Sequence, residues 1–485
     1  RLSESPEISR LEAPPQVSAG PPLESPRLQR GAGVANNLAA TGAPQVWAQG
    51  YTGKGRLICS FDTGVEGSHP ALKRSWNGRD GDSAASWFDP VGGVSAPHIF
   101  TNITNSSHGT HVMGIMCGAD TLTGDTIGMA PGARWISAAV IDIPGASIVD
   151  AFQWAADPDG DPNTFADVPD VINHSWGVPN RVMGCDELFW SLIDNTEALG
   201  IVNIFAAGNE GRSGAASIRN PANRALNEVD CFAVGNIDHR DPGETPLEPS
   251  SSRGPSDCDG VSVKPNLCAP GVNIWSAEPG SRYSFRTGTS MSAPHVSGAV
   301  ALLRQKNPNA TPAAIKAALL AGARNLGPAG PDTDYGWGAL NVPAALAALA
   351  APAPVELRVY ALTPNMPDAG GELTGQVTLQ NVGDPNGVAT GVSVEIGRAP
   401  AQVSVLTPEL TFSRRPGTPF YFSDLPLRLQ VTDTLSPGSV ITLPVTIRAL
   451  NGETFADEIF VLIGERVHQQ FFTHRTDRLE FTISN

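Results

Sequence analysis

Short apolar runs alternate with stretches of helical periodicity from about residue 36 to residue 351. The runs are rich in β-branched side chains and only a few residues long, as in parallel strands that are buried on both faces. Strands that alternate with helices predict an α/β domain built around a mostly parallel sheet. Because ligands bind at the carboxyl ends of such strands, we expect the chemistry of this domain there. The predicted strands are Arg56–Phe61, Ala138–Ile141, Val168–Ile172 and Ile201–Ala207.

Two helix starts can be recognised late in this region. Thr311 precedes Pro312, and Asn341 lies two residues before Pro343. Threonine and asparagine side chains cap the first turn of a helix, and proline is accepted there because its missing N–H has no helical partner to lose. We predict a packing helix after each cap.

The hydrophobic pattern changes after Pro354. Beyond it, apolar and polar residues alternate over short runs separated by Gly, Pro, Asn and Asp, the pattern of antiparallel strands with one buried face. Residues 352–485 are therefore predicted to form a small antiparallel β-sandwich, an accessory domain. The predicted strands are Val355–Tyr360, Glu372–Leu379, Val392–Ile396, Val440–Ile447 and Glu458–Ile463.

The first 35 residues differ from both regions. They are rich in proline and show little apolar periodicity. We expect an extended N-terminal arm over residues 1–35, which leaves residues 36–351 for the α/β domain.

Charge and apolar content exclude two classes of partner. The chain has 32 Lys and Arg against 48 Asp and Glu, a formal net charge of −16, which repels the phosphate backbone of nucleic acids. No apolar run reaches the roughly 18 residues that a membrane helix needs. We therefore expect no nucleic acid partner and no transmembrane segment.

The six cysteines permit up to three disulfides in an oxidising compartment. None shows the Cys-x-x-Cys spacing of a zinc or redox site, so metal binding through thiolates is not expected. Cys59 and Cys117 stand in apolar runs and fit equally well as small buried hydrophobic residues. The spacing assigns no pairs.

Three segments each place one member of a nucleophilic triad beside a regular element. Asp62 follows an apolar strand, His108 begins a helical run, and Ser290 stands where a helix rich in small residues begins. A histidine between a carboxylate and a hydroxyl activates serine as a nucleophile. Taken singly, Asp62 is also explained as a turn residue and Ser290 as a helix cap.

Asn209 ends another buried strand between glycines. Its uncharged amide can donate to an oxyanion, a contribution of about 2.7–4 kcal/mol where such donors have been removed. An asparagine beside glycine is also common in turns.

His111 stands three residues after His108. The two histidines could instead bind a metal ion, as an alternative to a triad that contains His108. The spacing puts both imidazoles on one helix face, but no Glu or third His nearby completes a zinc site. We interpret His108 as the general base and His111 as a structural residue. A metallohydrolase would lose its activity to a chelator and keep it when Ser290 is replaced.

Together these segments resemble the signature blocks of the subtilisin family of serine proteases, and the similarity covers about residues 36–350. The resemblance implies the three-layer subtilisin-like α/β fold and a secreted or cell-surface serine endopeptidase. The blocks are Asp62-Thr63-Gly64, His108-Gly109-Thr110-His111-Val112 and Gly288-Thr289-Ser290-Met291-Ser292-Ala293-Pro294.

By this resemblance, Ser290 attacks the peptide carbonyl, His108 accepts the proton and Asp62 orients the imidazole, with an acyl-enzyme as intermediate. Asn209 completes the oxyanion hole. Polypeptide substrates pair with one edge strand and fill a pocket walled by a second segment. These two segments are Ser175, Trp176 and Gly177, and Ala206, Ala207 and Gly208.

Two charged residues bear on this pocket. Glu210 is expected near its rim, where it would favour a basic residue before the cut. Arg219 is expected near its base, where it would offset that charge.

The implied chemistry needs no cofactor. A structural calcium ion is possible, but no site is assigned to it. Ala71 stands where many relatives have an acidic calcium ligand, so the family's calcium sites do not carry over. The acidic loop Asp157–Asp161 fits either a weak structural calcium site or a solvated loop. The insert Asp80–Ser107 is expected to form a loop near the active-site rim. By the resemblance, the arm over residues 1–35 is alternatively a propeptide remnant, in which Ile8–Ala13 is either the end of the propeptide or a linker.

A catalytically silent relative is the main rival to this interpretation. It would use the substrate groove between the segments at residues 175–177 and 206–208, or the C-terminal domain, to bind peptide or a cell surface. The complete set of triad and oxyanion residues argues against it.

Overall fold

The computed structural model describes residues 17–19, 23–24 and 33–462, with gaps at 122, 162–163, 165, 242, 309, 351–355, 366–370, 384–388, 390, 415–418, 433–439 and 450–452. It divides into two compact units, Arg1–Ala350 and Ala351–Asn485, which are described separately. The segment Ile8–Ala13 lies outside the described residues. No helix within the described ranges is long and apolar enough to cross a membrane.

The first unit contains strands and helices in alternation. Its described strands are β1 (Leu23–Glu24), β2 (Leu57–Asp62), β3 (Trp87–Phe88), β4 (Ala119–Asp120), β5 (Asp125–Thr126), β6 (Arg134–Ala139), β7 (Val171–His174), β8 (Val202–Ala206), β9 (Phe232–Ile237), β10 (Leu267–Pro270), β11 (Ile274–Glu278) and β12 (Arg282–Thr287). Its described α-helices are α1 (Asn36–Thr41), α2 (Ala43–Trp47), α3 (His108–Cys117), α4 (Ile148–Ala156), α5 (Asn180–Met183), α6 (Trp190–Ala198), α7 (Thr289–Lys306), α8 (Pro312–Gly322) and α9 (Val342–Ala348).

Seven of these strands form one sheet in which every pair is parallel, in the order β10-β9-β8-β7-β2-β6-β3. The side chains of β2 alternate between two buried clusters. Ile58 packs in the cluster that contains α3 and α7, whereas Cys59 and Phe61 pack in the cluster that contains α4 and α6. Helices therefore cover both faces of the sheet, and the predicted three-layer α/β fold is confirmed.

The predicted strands match β2 and β8 closely but misplace β6 and β7. The prediction at Val168–Ile172 begins three residues too early, because β7 runs from Val171 to His174. The prediction at Ala138–Ile141 is wrong in its bounds, because β6 runs from Arg134 to Ala139. The apolar run continues past the strand, and the N–H groups of Val140 and Ile141 donate to the backbone oxygen of Asp62 at 3.0 and 3.1 Å. The last apolar residues of the run thus tie a turn to the end of β2.

The two predicted caps open α8 and α9. The Thr311 hydroxyl accepts from the N–H of Ala314 at 3.1 Å, and the Asn341 side chain accepts from the N–H of Ala344 at 3.3 Å. Both helices carry proline in the first turn, as predicted.

Two of the six cysteines form a disulfide, Cys185–Cys258. The other four are free and buried. Burial raises the pKa of the Cys117 thiol to about 12, so this side chain remains protonated at neutral pH. Cys59 and Cys117 are therefore small buried residues and do not form disulfides. The remaining free cysteines are Cys231 and Cys268.

The second unit is an antiparallel sheet around an apolar core, as the alternating pattern predicts. Its hydrogen-bonded pairs link all nine described strands into one sheet. The predictions at Val355 and Ile463 lie outside the described residues. The strands are β13 (Leu357–Asn365), β14 (Glu372–Asn381), β15 (Val392–Ile396), β16 (Val403–Val405), β17 (Glu409–Arg414), β18 (Phe420–Ser423), β19 (Leu427–Val431), β20 (Val440–Arg448) and β21 (Thr454–Leu462).

Candidate active site

Asp62 and His108 form a buried hydrogen-bonded pair. β2 ends at Asp62 and α3 begins at His108, and Nδ1 of the imidazole lies 2.7 Å from Oδ1 of the carboxylate. Because a carboxylate only accepts, Nδ1 carries the proton, and Nε2 of a neutral imidazole is left with a free lone pair. The pair therefore has the tautomer that a general base requires.

Gly109 permits the close approach of α3 to the end of β2. A methyl group at this position would collide with the backbone oxygen of Gly64 and lie 3.0 Å from Cβ of Asp62. The N–H of Gly109 donates to Oγ1 of Thr63 at 3.2 Å, and the N–H of Thr63 donates to Oδ1 of Asp62 at 2.8 Å. The glycine of this block thus has a packing role.

Ser290 is the second residue of α7, and it exchanges hydrogen bonds with Ser175. The Ser290 hydroxyl donates to the backbone oxygen of Ser175 at 3.1 Å, and the Ser175 hydroxyl donates to the backbone oxygen of Ser290 at 2.9 Å. The second bond satisfies a carbonyl that α7 itself leaves unpaired, because Pro294, four residues later, has no N–H. Our sequence analysis missed this role of Ser175, although the proline signals the unpaired carbonyl.

Neighbouring elements bring these residues to one edge of the sheet. β2 pairs with β7, with Ser60 opposite Asn173, and Ser175 follows the end of β7. α7 packs against β7 and against α3. Asp62, His108 and Ser290 therefore stand at the carboxyl ends of adjacent strands and at the N-termini of the two helices beside them.

Asn209 follows β8, and Thr289 holds its side chain. The amide oxygen Oδ1 accepts from the backbone N–H of Thr289 at 3.0 Å and from its hydroxyl at 3.1 Å. The N–H of Gly208 donates to the same hydroxyl at 3.2 Å. With Oδ1 engaged by two donors, the amide is oriented with Nδ2 directed away from Thr289.

The two predicted substrate-binding segments continue from neighbouring strands. His174 of β7 pairs with Phe205 of β8, so Ser175–Gly177 and Ala206–Gly208 lie side by side. The Trp176 ring is buried and packs edge-on against Phe205, so this side chain is not available to a substrate.

Glu210 and Arg219 form a two-pronged ion pair beside these segments. Nη2 of Arg219 lies 2.6 Å from Oε1 of Glu210, and Nε donates to Oε2 at 2.9 Å. Burial opposes ionisation of Glu210, but the hydrogen bonds and charge of Arg219 outweigh it, and the pKa of the carboxyl is lowered. The expected offset of Glu210 by Arg219 is therefore a direct contact.

His111 does not join His108 in a metal site. Its Nε2 lies 3.2 Å from the backbone oxygen of Ser284, to which it donates, and burial holds the pKa of the imidazole well below its usual range. Among the described residues, the side chains that converge as potential metal ligands lie elsewhere, at Asp157, Asp159 and Asp167.

Those three aspartates follow α4 and have one ligand atom each within 4.8 Å of the others. Asp167 is 8% exposed, and Oδ1 of Asp157 and Oδ1 of Asp167 are buried without a hydrogen-bond partner. Burial raises the pKa of both carboxyls. Sequence analysis pointed to Asp157–Asp161 and missed Asp167, which closes the loop from its other end.

The insert at residues 80–107 is only partly a loop. Trp87 and Phe88 form β3 at the edge of the central sheet. The insert then reaches the triad region, where Ile99 pairs with Gly64 and the backbone oxygen of Asn105 accepts from Oγ1 of Thr63 at 3.2 Å. The insert therefore lies beside the block that contains Asp62, which agrees with its expected position near the rim of the candidate active site.

The sequence of this chain is similar to one protein family and to several of its known members. The model of the Subtilase family matches residues 53–338. Bacillopeptidase F of Bacillus subtilis (strain 168) is 36% identical over 328 residues, which are 64% of this chain and 22% of that protein. Subtilisin NAT of Bacillus subtilis subsp. natto is 34% identical over 308 residues, 62% of this chain and 68% of that protein. The Major intracellular serine protease of Bacillus subtilis (strain 168) is 32% identical over 262 residues, 54% of this chain and 72% of that protein.

Proposed function

The chain belongs to the subtilase family, and on that premise we propose that it is a serine endopeptidase with Asp62, His108 and Ser290 as its triad. The observation that carries the proposal is the buried contact of 2.7 Å between Asp62 and His108 at the strand edge beside Ser290. This contact leaves Nε2 of His108 as the base for the serine hydroxyl.

In the first step, Oγ of Ser290 attacks the peptide carbonyl while its proton passes to Nε2 of His108. The tetrahedral intermediate collapses as the imidazolium gives this proton to the leaving amine, and an acyl-enzyme remains. Water repeats the sequence, with His108 again as base, and releases the carboxylic acid and the free Ser290 hydroxyl. Asp62 holds the imidazole in place and stabilises its positive charge throughout.

The oxyanion of the tetrahedral intermediate is stabilised by the Asn209 amide and the backbone N–H of Ser290. The contacts of Thr289 with Oδ1 support this role, because they leave Nδ2 as the outward donor. The Ser290 N–H lies in the first turn of α7, where backbone N–H groups have no helical acceptor.

The Ser290 hydroxyl must turn from Ser175 to His108 before it reacts. Its bond to the Ser175 carbonyl is a resting contact, and catalytic hydrogen bonds often form only when substrate is bound. In the proposed mechanism the hydroxyl makes this turn by rotation about the Cα–Cβ bond of Ser290.

We extend the proposal to the organisation and location of the protein. Residues 36–351 form the catalytic domain and residues 352–485 an accessory domain that contacts substrate or a cell surface. The Cys185–Cys258 disulfide favours a secreted or cell-surface location, because disulfides persist in oxidising compartments. The triad chemistry needs no cofactor.

A serine-directed fluorophosphonate tests the proposed activity. We expect intact-mass spectrometry to find one adduct, which maps to Ser290 and is absent from Ser290→Ala. Folded protein that takes up no label, or label that persists in the variant, would overturn the proposal in favour of a catalytically silent binding protein.

A further inference from the structure

Arg219 occupies the space between the two segments proposed to bind substrate. A methyl group at Gly177 would lie 3.0 Å from Cβ and 3.2 Å from Cδ of Arg219. A methyl group at Gly208 would lie 2.7 Å from Cγ of Arg219 and 2.7 Å from Oε2 of Glu210. The arginine stem thus touches a backbone glycine on each side, and its side chain is 8% exposed.

Several partners hold Arg219 in this position. Nε and Nη2 donate hydrogen bonds to the two carboxylate oxygens of Glu210. Nη1 lies 3.4 Å from the backbone oxygen of Gly177. Oε2 of Glu210 accepts in addition from the N–H of Asn209 at 2.9 Å and from the Ser252 hydroxyl at 3.3 Å. Moving the Glu210 carboxylate away would leave the buried Arg219 guanidinium without its counter-charge, which is strongly unfavourable.

An extended piece of this chain already lies on the same edge. Ser18 pairs antiparallel with Gly177, whose N–H is 3.4 Å from the backbone oxygen of Ser18. That oxygen also lies 3.4 Å from Nη1 of Arg219. Val17 and Ala19, on either side of Ser18, are both buried. This edge therefore accepts an extended backbone, and Arg219 donates to it.

We propose that the Arg219–Glu210 pair closes the substrate side-chain pocket between Ser175–Gly177 and Ala206–Gly208. The closed pocket restricts cleavage to peptides with a small, uncharged residue before the cut. This inference rests on the proposed protease function. A long apolar side chain would have to displace the arginine stem, for which the packed glycines leave no room. A basic or acidic side chain would meet a pair whose charges already neutralise each other.

With Arg219 as its partner, Glu210 is no longer expected to favour basic residues before the cut. Glu210 would attract lysine or arginine only if its own counter-charge were absent. The chain supplies that counter-charge nine residues later in sequence, at Arg219.

A panel of internally quenched peptides that differ only in the residue before the cut tests this proposal. For the natural protein we expect kcat/KM for Gly, Ala and Ser to exceed that for Leu, Phe, Lys and Glu by about tenfold or more, as for steric exclusion from a closed pocket. Equal or faster cleavage after Leu or Phe would overturn the proposal without any variant.

Three variants assign the effect to the pair. Arg219→Ala opens the pocket and leaves Glu210 unpaired, so cleavage after Lys should rise by about tenfold or more relative to Ala. Arg219→Ala combined with Glu210→Gln should raise cleavage after Leu and Phe but not after Lys. Arg219→Lys keeps a long cationic stem and should keep the preference for small residues. Unchanged ratios in the first two would contradict the assignment.

Fluorophosphonate labelling of each protein separates the two proposals. Labelled protein with a flat or reversed preference refutes the closed pocket and leaves the protease function intact. Natural protein that is neither labelled nor active refutes the protease function, and the specificity inference falls with it.

Discussion

Thr289 donates twice to Oδ1 of Asn209, from its backbone at 3.0 Å and from its hydroxyl at 3.1 Å. The residue before the proposed nucleophile therefore orients the amide that is proposed to stabilise the oxyanion. Since one residue links the two, a change at Thr289 should affect the transition state more than the binding of substrate.

We predict that Thr289→Val lowers kcat about fivefold with little change in KM, the equivalent of one hydrogen bond of about 1 kcal/mol. Thr289→Ser is the matched control, because it retains the hydroxyl and should retain kcat. Steady-state kinetics on one peptide would measure both. An equal loss in the serine variant would show that packing of the methyl group, not the hydroxyl, is responsible.

Asp62→Asn should lower kcat by about four orders of magnitude, the effect seen when a triad aspartate elsewhere is made neutral. The asparagine amide can donate to Nδ1 and so favour the tautomer in which Nε2 carries the proton and is no longer a base. Circular dichroism should show an unchanged fold. A variant that folds and retains most of its activity would refute the proposed role of Asp62.

Alkylation of the denatured protein tests the cysteine assignment. Without a reductant, we expect four alkyl groups, on the free cysteines, and six after reduction. Cys185→Ser combined with Cys258→Ser should lower the free energy of unfolding by about 2–4 kcal/mol, because the cross-link spans 73 residues of sequence. Six alkyl groups before reduction would contradict the pairing.

Stability should fall as the pH is lowered from 7 towards 5. Burial lowers the pKa of His174 and that of His295 to about 3. Above pH 6.5 both are neutral in the folded and unfolded chain; below it, the unfolded chain binds protons that the folded protein excludes. Each histidine can therefore contribute a slope of up to about 1.4 kcal/mol per pH unit.

Urea unfolding of His295→Gln between pH 7 and 5 tests this sign. The glutamine amide can still donate and accept, as the imidazole does with Met291 and Asn37, but it does not titrate. We expect a shallower slope in the variant. A slope equal to that of the natural protein would show that His295 binds protons equally in the folded and unfolded chain, which would contradict a lowered pKa in the folded protein.

Calcium should raise the melting temperature relative to a chelator, through Asp157, Asp159 and Asp167. Hard carboxylate oxygens suit Ca²⁺, and a divalent cation would compensate the two buried oxygens that have no partner. Asp167→Asn should abolish the increment, and in chelator it should be no less stable, since it removes a buried charge. Fluorophosphonate labelling should be unaffected by chelator. An equal increment in the variant would place any calcium elsewhere.

Local signals in the sequence determined much of this molecule. The caps at Thr311 and Asn341 act on residues three positions away, and the apolar runs that become β2, β7 and β8 need only be buried on both faces. Such features depend on neighbours in sequence, so a pattern of a few residues specifies them. The candidate triad was recognisable for a similar reason, since each member stands in its own short block.

The tertiary structure alone decided which distant residues meet. Cys185 pairs with Cys258, and the Ser290 hydroxyl rests on Ser175, 115 positions away. Arg219 lies between Gly177 and Gly208 because β7 and β8 are adjacent in the sheet. Contacts of this kind follow from the order of strands, which sets distances between residues remote in sequence. The candidate catalytic residues could therefore be recognised in the sequence, whereas the contacts of Arg219 with Gly177 and Gly208 could not.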